Sequence, residues 1–329
     1  MADKLNIAVT GSGSLIGQAV IKSVQRSELN DKINFIGLDY FENTVGSFWC
    51  SKNILLPDIL NPTVSHTAWL TVILDTLKAN NVKLLFVGVD FELPLFAKYK
   101  SQIEESTGAI VLVCPEDVIS IADDKYLTYE FLKQNDLAYP QSWLPEEVDP
   151  SSLNYPLIVK PRKGARSVGV SKVNDPKELP KALAMAKEPV IQELVGNDET
   201  EYTCGVIFLN GELKRSIVLR RHLKAGNTYL SYYKKDFPSI ISEYLELVAT
   251  KLKPFGACNF QLRLDEKGVP KIFEINARHS GTTYIRSLFG FKEVEYIINL
   301  LLFNKEMEFD LKEGTVVRYY DEFFIPENK

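Results

Sequence analysis

Six consecutive residues, Phe273-Glu274-Ile275-Asn276-Ala277-Arg278, place a carboxylate, an amide and a guanidinium at alternate positions of a segment with strand character. Successive side chains of a strand point to opposite faces, so Glu274, Asn276 and Arg278 are expected to share one face while Phe273, Ile275 and Ala277 turn to a core. Two hard oxygen donors suit Mg²⁺, a cation that keeps several waters and is commonly shared with phosphate oxygens. An arginine beside them suits the phosphates themselves. A polar strand edge facing water would carry the same three residues, so the rest of the chain must decide between the two readings.

Upstream, Lys160 ends an apolar strand and opens the basic, glycine-bearing loop Pro161-Arg162-Lys163-Gly164-Ala165-Arg166-Ser167-Val168-Gly169. Backbone N–H groups of such a loop can fold over phosphates, with the lysine as a point charge beneath them. A solvated hairpin with a basic tip is the plainer alternative. No GK[ST] opens a helix here, so the loop is not a Walker A motif. Next, Val190-Ile191-Gln192-Glu193-Leu194-Val195 is an apolar strand that runs into a bend at Gly196. An extended segment of this kind offers backbone groups to an adenine edge, and a carboxylate a few residues on, Glu201 or Glu199, can accept ribose hydroxyls. Gln261 lies thirteen residues before Glu274 with a turn at Lys267-Gly268 between them. That spacing predicts a hairpin that brings the two side chains together.

The elements that must position these residues fall into two textures. Up to about residue 115, strands (Ile7 to Thr10, Asn34 to Leu38, Leu84 to Val89, Ala109 to Val113) alternate with helices (to about Gln25, Ser65 to Ala79, Leu93 to Glu105). Such alternation predicts a parallel, doubly wound α/β domain. Beyond Pro115 comes a helix from Lys125 to Gln134, and then a series of hairpins with turns at Asn210-Gly211 and Lys267-Gly268, an α+β pattern. Gly11, Gly13 and Gly17 after the first strand, with Asp39 ending the second, suggest a dinucleotide site. Their spacing is G-x-G-x-x-x-G rather than G-x-G-x-x-G, and the Tyr129/Lys133 pair lies outside that domain. An NAD(P)-dependent reductase is therefore kept as the alternative from another class, resting on the first forty residues alone.

With 38 Lys and Arg against 43 Asp and Glu, the net charge of −5 gives no reason to expect a nucleic-acid or anionic-membrane partner. Any anion site must be local. Cys50, Cys114, Cys204 and Cys258 form no CxxC pair, which fits buried free thiols in a reducing compartment. The opening, Met1-Ala2-Asp3, leads straight into a strand and no apolar run is long enough to span a bilayer, so a cytoplasmic protein is expected.

Lysine, loop, hinge, paired strands and arginine, in this order, resemble the ATP-grasp superfamily, which includes the carbamoyl-phosphate synthetase large subunit, biotin carboxylase and D-alanine:D-alanine ligases. The resemblance implies an α/β pre-ATP-grasp domain (1–115) followed by an α+β ATP-grasp fold of two lobes (116–190 and 191–329), with the N-terminal glycine turn binding no NAD. It also assigns roles. Lys125 and Lys160 are the nucleotide-binding basic residues, and the loop from Arg162 to Gly169, with Gly164 and Ser167, is the phosphate lid. Gln192, Glu193, Leu194 and Val195 form the adenine hinge, and Glu201, with Glu199 as runner-up, accepts the ribose. Gln261, Glu274 and Asn276 are the metal ligands, the first often acidic in relatives, and Arg278 stabilises the transferring phosphate. Implied are ATP, Mg²⁺ (or Mn²⁺), a small-molecule carboxylate and an amine or thiol, an acylphosphate intermediate with release of ADP, and a homodimer, since relatives often dimerise. Carboxyphosphate chemistry on bicarbonate is the alternative within the family, and a nucleotide-binding module without catalysis is a further one.

For substrate selection, His279-Ser280-Gly281-Thr282 follows Arg278 directly and can bind a carboxylate through hydroxyls and N–H groups, with Arg286 one helical turn beyond. Ser280 and Thr282 would serve equally as helix caps. Arg220, with Arg221 and Lys224, offers either a clamp for an acidic substrate or a solvated strand end. Asp90, with Glu92, sits where α/β sheets place ligands, and also where a helix cap belongs.

Overall fold

A computed structural model describes residues 4–164 and 167–326. Ala165 and Arg166 of the basic loop and the Met1-Ala2-Asp3 start lie outside the described residues. The chain divides into two compact units.

The first unit contains the chain up to Val113. Its elements are β1 (Leu5–Thr10), α1 (Leu15–Gln25), β2 (Ile33–Asp39), α2 (Val45–Trp49), β3 (Lys52–Leu55), α3 (His66–Ala79), β4 (Val82–Phe86), α4 (Leu93–Thr107) and β5 (Ile110–Leu112). The strands form a parallel sheet in the order β3-β2-β1-β4-β5, the doubly wound arrangement expected. Ile7, Ala8 and Val9 of β1 and Leu84, Leu85 and Phe86 of β4 are fully buried, as central strands covered on both faces must be. The strand expected to reach Val89 stops at Phe86, because Gly88 N–H leaves the ladder to donate to Thr10 Oγ1 at 3.0 Å.

The second unit runs from Cys114 to Arg278 with residues 312–315. It begins with α5 (Glu116–Asp123) and α6 (Lys125–Gln134), whose start is fixed by Asp124 accepting from the N–H groups of Tyr126 and Leu127. There follow β6 (Ser142–Trp143), β7 (Leu157–Pro161), β8 (Ser171–Val173), α7 (Leu179–Met185) and β9 (Pro189–Glu193), with an antiparallel sheet in the order β6-β9-β7-β8. Leu157, Val159 and Ile191 on alternate strand positions pack with Leu179 and Ala182 of α7. A larger antiparallel sheet holds β10 (Glu201–Leu209), β11 (Glu212–Lys224), β12 (Asn227–Tyr233), β13 (Gly256–Leu264) and β14 (Pro270–Asn276) in the order β14-β13-β10-β11-β12, with α8 (Ser239–Leu252) packed on it. The β10–β11 connection is the expected Asn210-Gly211 turn, with φ of 56° and 81°, the left-handed pair that suits a two-residue hairpin.

Residues 191–329 are expected to form one lobe. In the structure, α9 (Thr283–Leu288) and α10 (Glu293–Phe303) belong to the first unit, where both pack against α1. Val294, Ile297 and Ile298 recur at helical spacing and are buried, so α10 needs an apolar partner, and the first unit supplies it. The first unit is thus discontinuous in sequence.

Candidate active site

The hairpin of β13 and β14 has the register the spacing implies, with Gln261 opposite Glu274 and Asn259 opposite Asn276. Gln261 Nε2 and Asn276 Nδ2 each donate to Glu274 Oε1 at 3.1 Å, and an Arg278 guanidinium N–H donates to Asn276 Oδ1 at 2.9 Å. Glu274 and Asn276 share a face of the strand, and Arg278, two residues past its end, joins them through that hydrogen bond. Among the described residues there is no group of three or more His, Cys, Asp or Glu side chains suited to a metal. The donors at this hairpin are one carboxylate and two amide oxygens, hard ligands that are few for a closed cage. Such a set suits a Mg²⁺-type cation that brings water and phosphate oxygens of its own.

Lys160, at the end of β7, is buried and donates to Gln192 Oε1 at 2.7 Å and to the Phe273 carbonyl of β14 at 3.2 Å. Gln192, expected in the hinge, is thereby the residue that aims the lysine; its own Nε2 is held by Ser142 Oγ at 2.9 Å. Burial, with nearby Lys125 second, pulls the Lys160 ammonium down to about 7. Lys125 Nζ reaches back to the carbonyls of Arg162 and Gly164 at 3.3 and 3.1 Å, and Arg162 holds the Asp124 carboxylate with Nε and a terminal nitrogen. Burial pushes that carboxyl up, but Arg162 and the two helix N–H groups outweigh it and hold Asp124 below the usual range. The base of the basic loop is thus tied to the first turn of α6.

The β7–β9 ladder ends at Glu193, so the backbone of Leu194 and Val195 leaves the sheet at the wall of a cavity of about 200 Å³. Lys125, Lys160, Gly164, Ser167, Gln192, Glu193, Glu201, Gln261 and Glu274 also line this cavity. Two more lining residues enclose Glu201: Arg221, expected with Arg220 to form a substrate clamp or a solvated strand end, and Arg263, to which the sequence assigns no role. Arg221 donates to Glu201 Oε1 through Nε at 3.0 Å and a terminal nitrogen at 2.8 Å, and Arg263 does the same to Oε2 at the same distances. Burial would raise this carboxyl, yet the two guanidinium groups keep it below the usual carboxylate range. Four bonds fill the acceptor positions of Glu201, so a ribose hydroxyl would have to displace an arginine. Glu199, the runner-up, is largely exposed and pairs with Arg220 at 3.1 Å. The signal for Arg263 was present: two residues after Gln261 on one strand, it shares that face.

Residues 122–282 match the ATP-grasp domain family. That stretch, just under half of the chain, is what carries the ATP-grasp likeness. A putative D-alanine–D-lactate ligase of Streptomyces coelicolor is 34% identical over 205 residues, 55% of this chain and 59% of that protein. D-alanine–D-alanine ligase A of Bacillus cereus is 30% identical over 183 residues, 48% and 58% of the respective chains. The alignments thus span less than two thirds of these relatives. Among solved structures, L-amino acid ligase from Bacillus licheniformis superposes with a TM-score of 0.71 at 18% identity, covering 92% of this chain and 75% of that one. N5-carboxyaminoimidazole synthetase from Staphylococcus aureus complexed with ADP gives 0.70 at 15%, covering 94% and 81%. At these identities the structures establish the shared fold.

The remaining expected residues divide between the units. Arg220 belongs to the second, whereas Asp90, His279, Ser280, Gly281, Thr282 and Arg286 belong to the first. Asp90 is exposed and opens a short 3₁₀ turn before α4, whose cap position is taken by Glu92 without a side-chain bond. Arg286 is fully buried and donates to Glu293 Oε2 at 2.7 Å, Ser280 Oγ at 2.7 Å and Thr282 Oγ1 at 2.9 Å. The hydroxyls expected to meet a substrate or cap a helix are engaged by this arginine, and α9 has no side-chain cap. His279 is buried edge-on against Phe86, ring centroids 5.4 Å apart. The glycine turn of the reductase alternative is filled from within. Asp39 Oδ2 accepts from Gly13 N–H at 2.8 Å and Ser12 Oγ at 2.9 Å, and a Cβ on Gly46 would sit 1.9 Å from the Ser12 carbonyl oxygen. A carboxylate and a packed backbone occupy the place where a pyrophosphate would have to enter.

Proposed function

We propose that the protein is an ADP-forming ligase, which activates a carboxylate as an acylphosphate at the expense of ATP for attack by an amine or similar nucleophile. The observation that carries this reading is a single run of contacts. Lys160, Gln261 and Glu274 line one cavity, and Asn276 and Arg278 extend the hydrogen-bonded row from Glu274.

In this reading the hinge backbone at Leu194 and Val195 receives the adenine, while Lys125 and Lys160 face the phosphates. Arg278 meets the transferring group. A divalent cation, Mg²⁺ or Mn²⁺, would be held by Glu274 and the amides of Asn276 and Gln261, and when bound it would neutralise phosphate charge. The protein's own contribution is positioning and fixed positive charge, because an incoming carboxylate is repelled by the triphosphate it must attack. No enzyme nucleophile is required. The relatives' names, D-alanine–D-lactate, D-alanine–D-alanine and L-amino acid ligase, support an amino acid as the carboxylate. Four free thiols support a cytoplasmic setting, and a homodimer is carried over from the family.

The test is ADP release from ATP and Mg²⁺ across a panel of amino acids, hydroxy acids, small carboxylates with amines, and bicarbonate. Release that depends on an amino acid pair is expected. In the Glu274→Ala variant it should fall by about 100- to 1,000-fold with the melting temperature unchanged. ADP release driven by bicarbonate alone would move the assignment to carboxyphosphate chemistry, and nicotinamide binding without ATP binding would refute it.

A further inference from the structure

Gln261 is given to the metal by its place in the hairpin, yet its carbonyl oxygen already faces a cation. Arg221 donates to Gln261 Oε1 at 2.7 Å, while the Gln261 amide nitrogen is turned to Glu274 at 3.1 Å. Reversing the amide would set its N–H groups against the guanidinium, so Arg221 fixes the orientation. Arg221 itself cannot swing away freely. It is 9% exposed and bound through two nitrogens to Glu201, which Arg263 holds from the other side. A second cation at the Gln261 oxygen would lie next to a permanently charged arginine in a partly desolvated pocket.

The charge of the cluster points the same way. Arg221 and Glu201 are buried and Arg263 is 18% exposed, two arginines to one glutamate; the further partner of Arg263, Asp198, is 87% exposed at the rim and screened by water. A buried excess of positive charge on a cavity wall is stabilised when an anion enters. Arg221 is the member that faces Gln261 and Glu274, where phosphate oxygens would arrive. Arg263, bonded also toward the Val195 carbonyl at 3.5 Å, faces the hinge.

We infer that Arg221 takes the place of one divalent cation: the protein binds a nucleoside triphosphate with a single divalent ion on Glu274 and Asn276, and Arg221, steadied by Glu201, supplies the second positive charge beside Gln261. This rests on the nucleotide reading proposed above.

The experiment counts Mn²⁺ by loss of the free-ion electron paramagnetic resonance signal, in full-length protein saturated with a non-hydrolysable ATP analogue whose own binding is measured separately by calorimetry. One Mn²⁺ per bound analogue is expected in the wild type. Two are expected in Arg221→Met, whereas Gln261→Glu, which keeps Arg221 beside the new carboxylate, should still hold one, and the analogue should bind Arg221→Met about 10- to 100-fold more weakly when Mn²⁺ is limiting. A merely structural arginine would not change the ion count. Two ions in the wild type would overturn the inference, as would one in Arg221→Met or two in Gln261→Glu with Arg221 intact. Gln261→Glu leaves the arginine cluster in place and keeps the test decisive if Arg221→Met fails to fold. Failure of the wild type to bind the analogue at all would instead remove the nucleotide reading beneath it, and calorimetry separates that result from an incorrect ion count.

Discussion

Arg286 and Arg221 are both buried arginines paired with a glutamate, and their surroundings differ in charge and in openness. Around Arg286, one glutamate faces one arginine, and Ser280, Thr282 and Thr283 take up hydrogen bonds from or to the pair. Within that pair the two charges cancel. Around Arg221, one buried glutamate serves two arginines, and the set lies on a cavity wall with Gln261 and Glu274 at its edge. A balanced cluster closed on its own hydroxyls holds a loop in shape, whereas an unbalanced one at a cavity wall is poised for a ligand of opposite sign. Burial of an arginine therefore says little until the charges around it are counted.

The largest expected effect tests the closed cluster. Arg286→Met would leave Glu293, 1% exposed, without its cation in the core of the first unit. A loss of about 3–5 kcal/mol in unfolding free energy is expected, because breaking one side of a buried pair strands the other. The same change at Arg221 leaves Glu201 bonded to Arg263, so its melting temperature should stay within about 4 °C of the wild type. Thermal or urea denaturation of the two variants reads the contrast directly. Equal destabilisation of both would mean that the Arg221 cluster is as structural as the Arg286 one.

That contrast also marks how far the sequence could be read. The alternation of strand and helix gave the parallel sheet, and the period of two put Glu274 and Asn276 on one face, whereas Arg278 lies past the strand's end and Phe273, at a slip in the register, lines the cavity rather than the core. The thirteen-residue spacing with its Gly268 turn was enough to set Gln261 against Glu274. What stayed hidden depends on pairings between distant segments. Glu201 meets Arg263 across 62 residues, and nothing local distinguishes its saturated carboxylate from a free ribose acceptor. Arg286 read as a substrate arginine because its partner Glu293 stands seven residues away, outside the three- and four-residue spacings that betray a helical ion pair. The packing of α9 and α10 with the first sheet was illegible for the same reason. Their apolar stripe shows that they need a partner but not which one.

A smaller effect, in pH, separates the cavity from the rest of the fold. The Lys160 ammonium, ordinarily at 10.5, is brought to about 7 by burial and by Lys125. Between these two values the unfolded chain binds a proton that the folded protein does not, so this group makes the protein more stable as pH rises from 7 to 10.5. Below 7 the buried ammonium exerts its full penalty. A phosphate oxygen arriving at Nζ favours the charged form, so nucleotide binding should draw in up to one proton above pH 7, and affinity should fall by up to about tenfold per pH unit. Calorimetry in two buffers of different ionisation enthalpy measures that proton directly. Its persistence in Lys160→Met would place the titrating group elsewhere.

The smallest effect concerns the exposed end of the arginine series. Glu199 pairs with Arg220 at 3.1 Å, but its side chain is 66% exposed, and surface pairs of this kind contribute about 0–1 kcal/mol. If the saturated Glu201 leaves ribose binding to Glu199, then Glu199→Gln should weaken ATP about tenfold while leaving affinity for inorganic triphosphate unchanged, since only the ribose contact is removed. If Arg221 releases Glu201 when nucleotide enters, Glu199→Gln should change neither affinity by more than about twofold. The paired titrations thus report whether the unbalanced cluster stays intact with ligand bound. A variant that weakens ATP and triphosphate equally would show that Glu199 acts through the field of Arg220 rather than through the sugar.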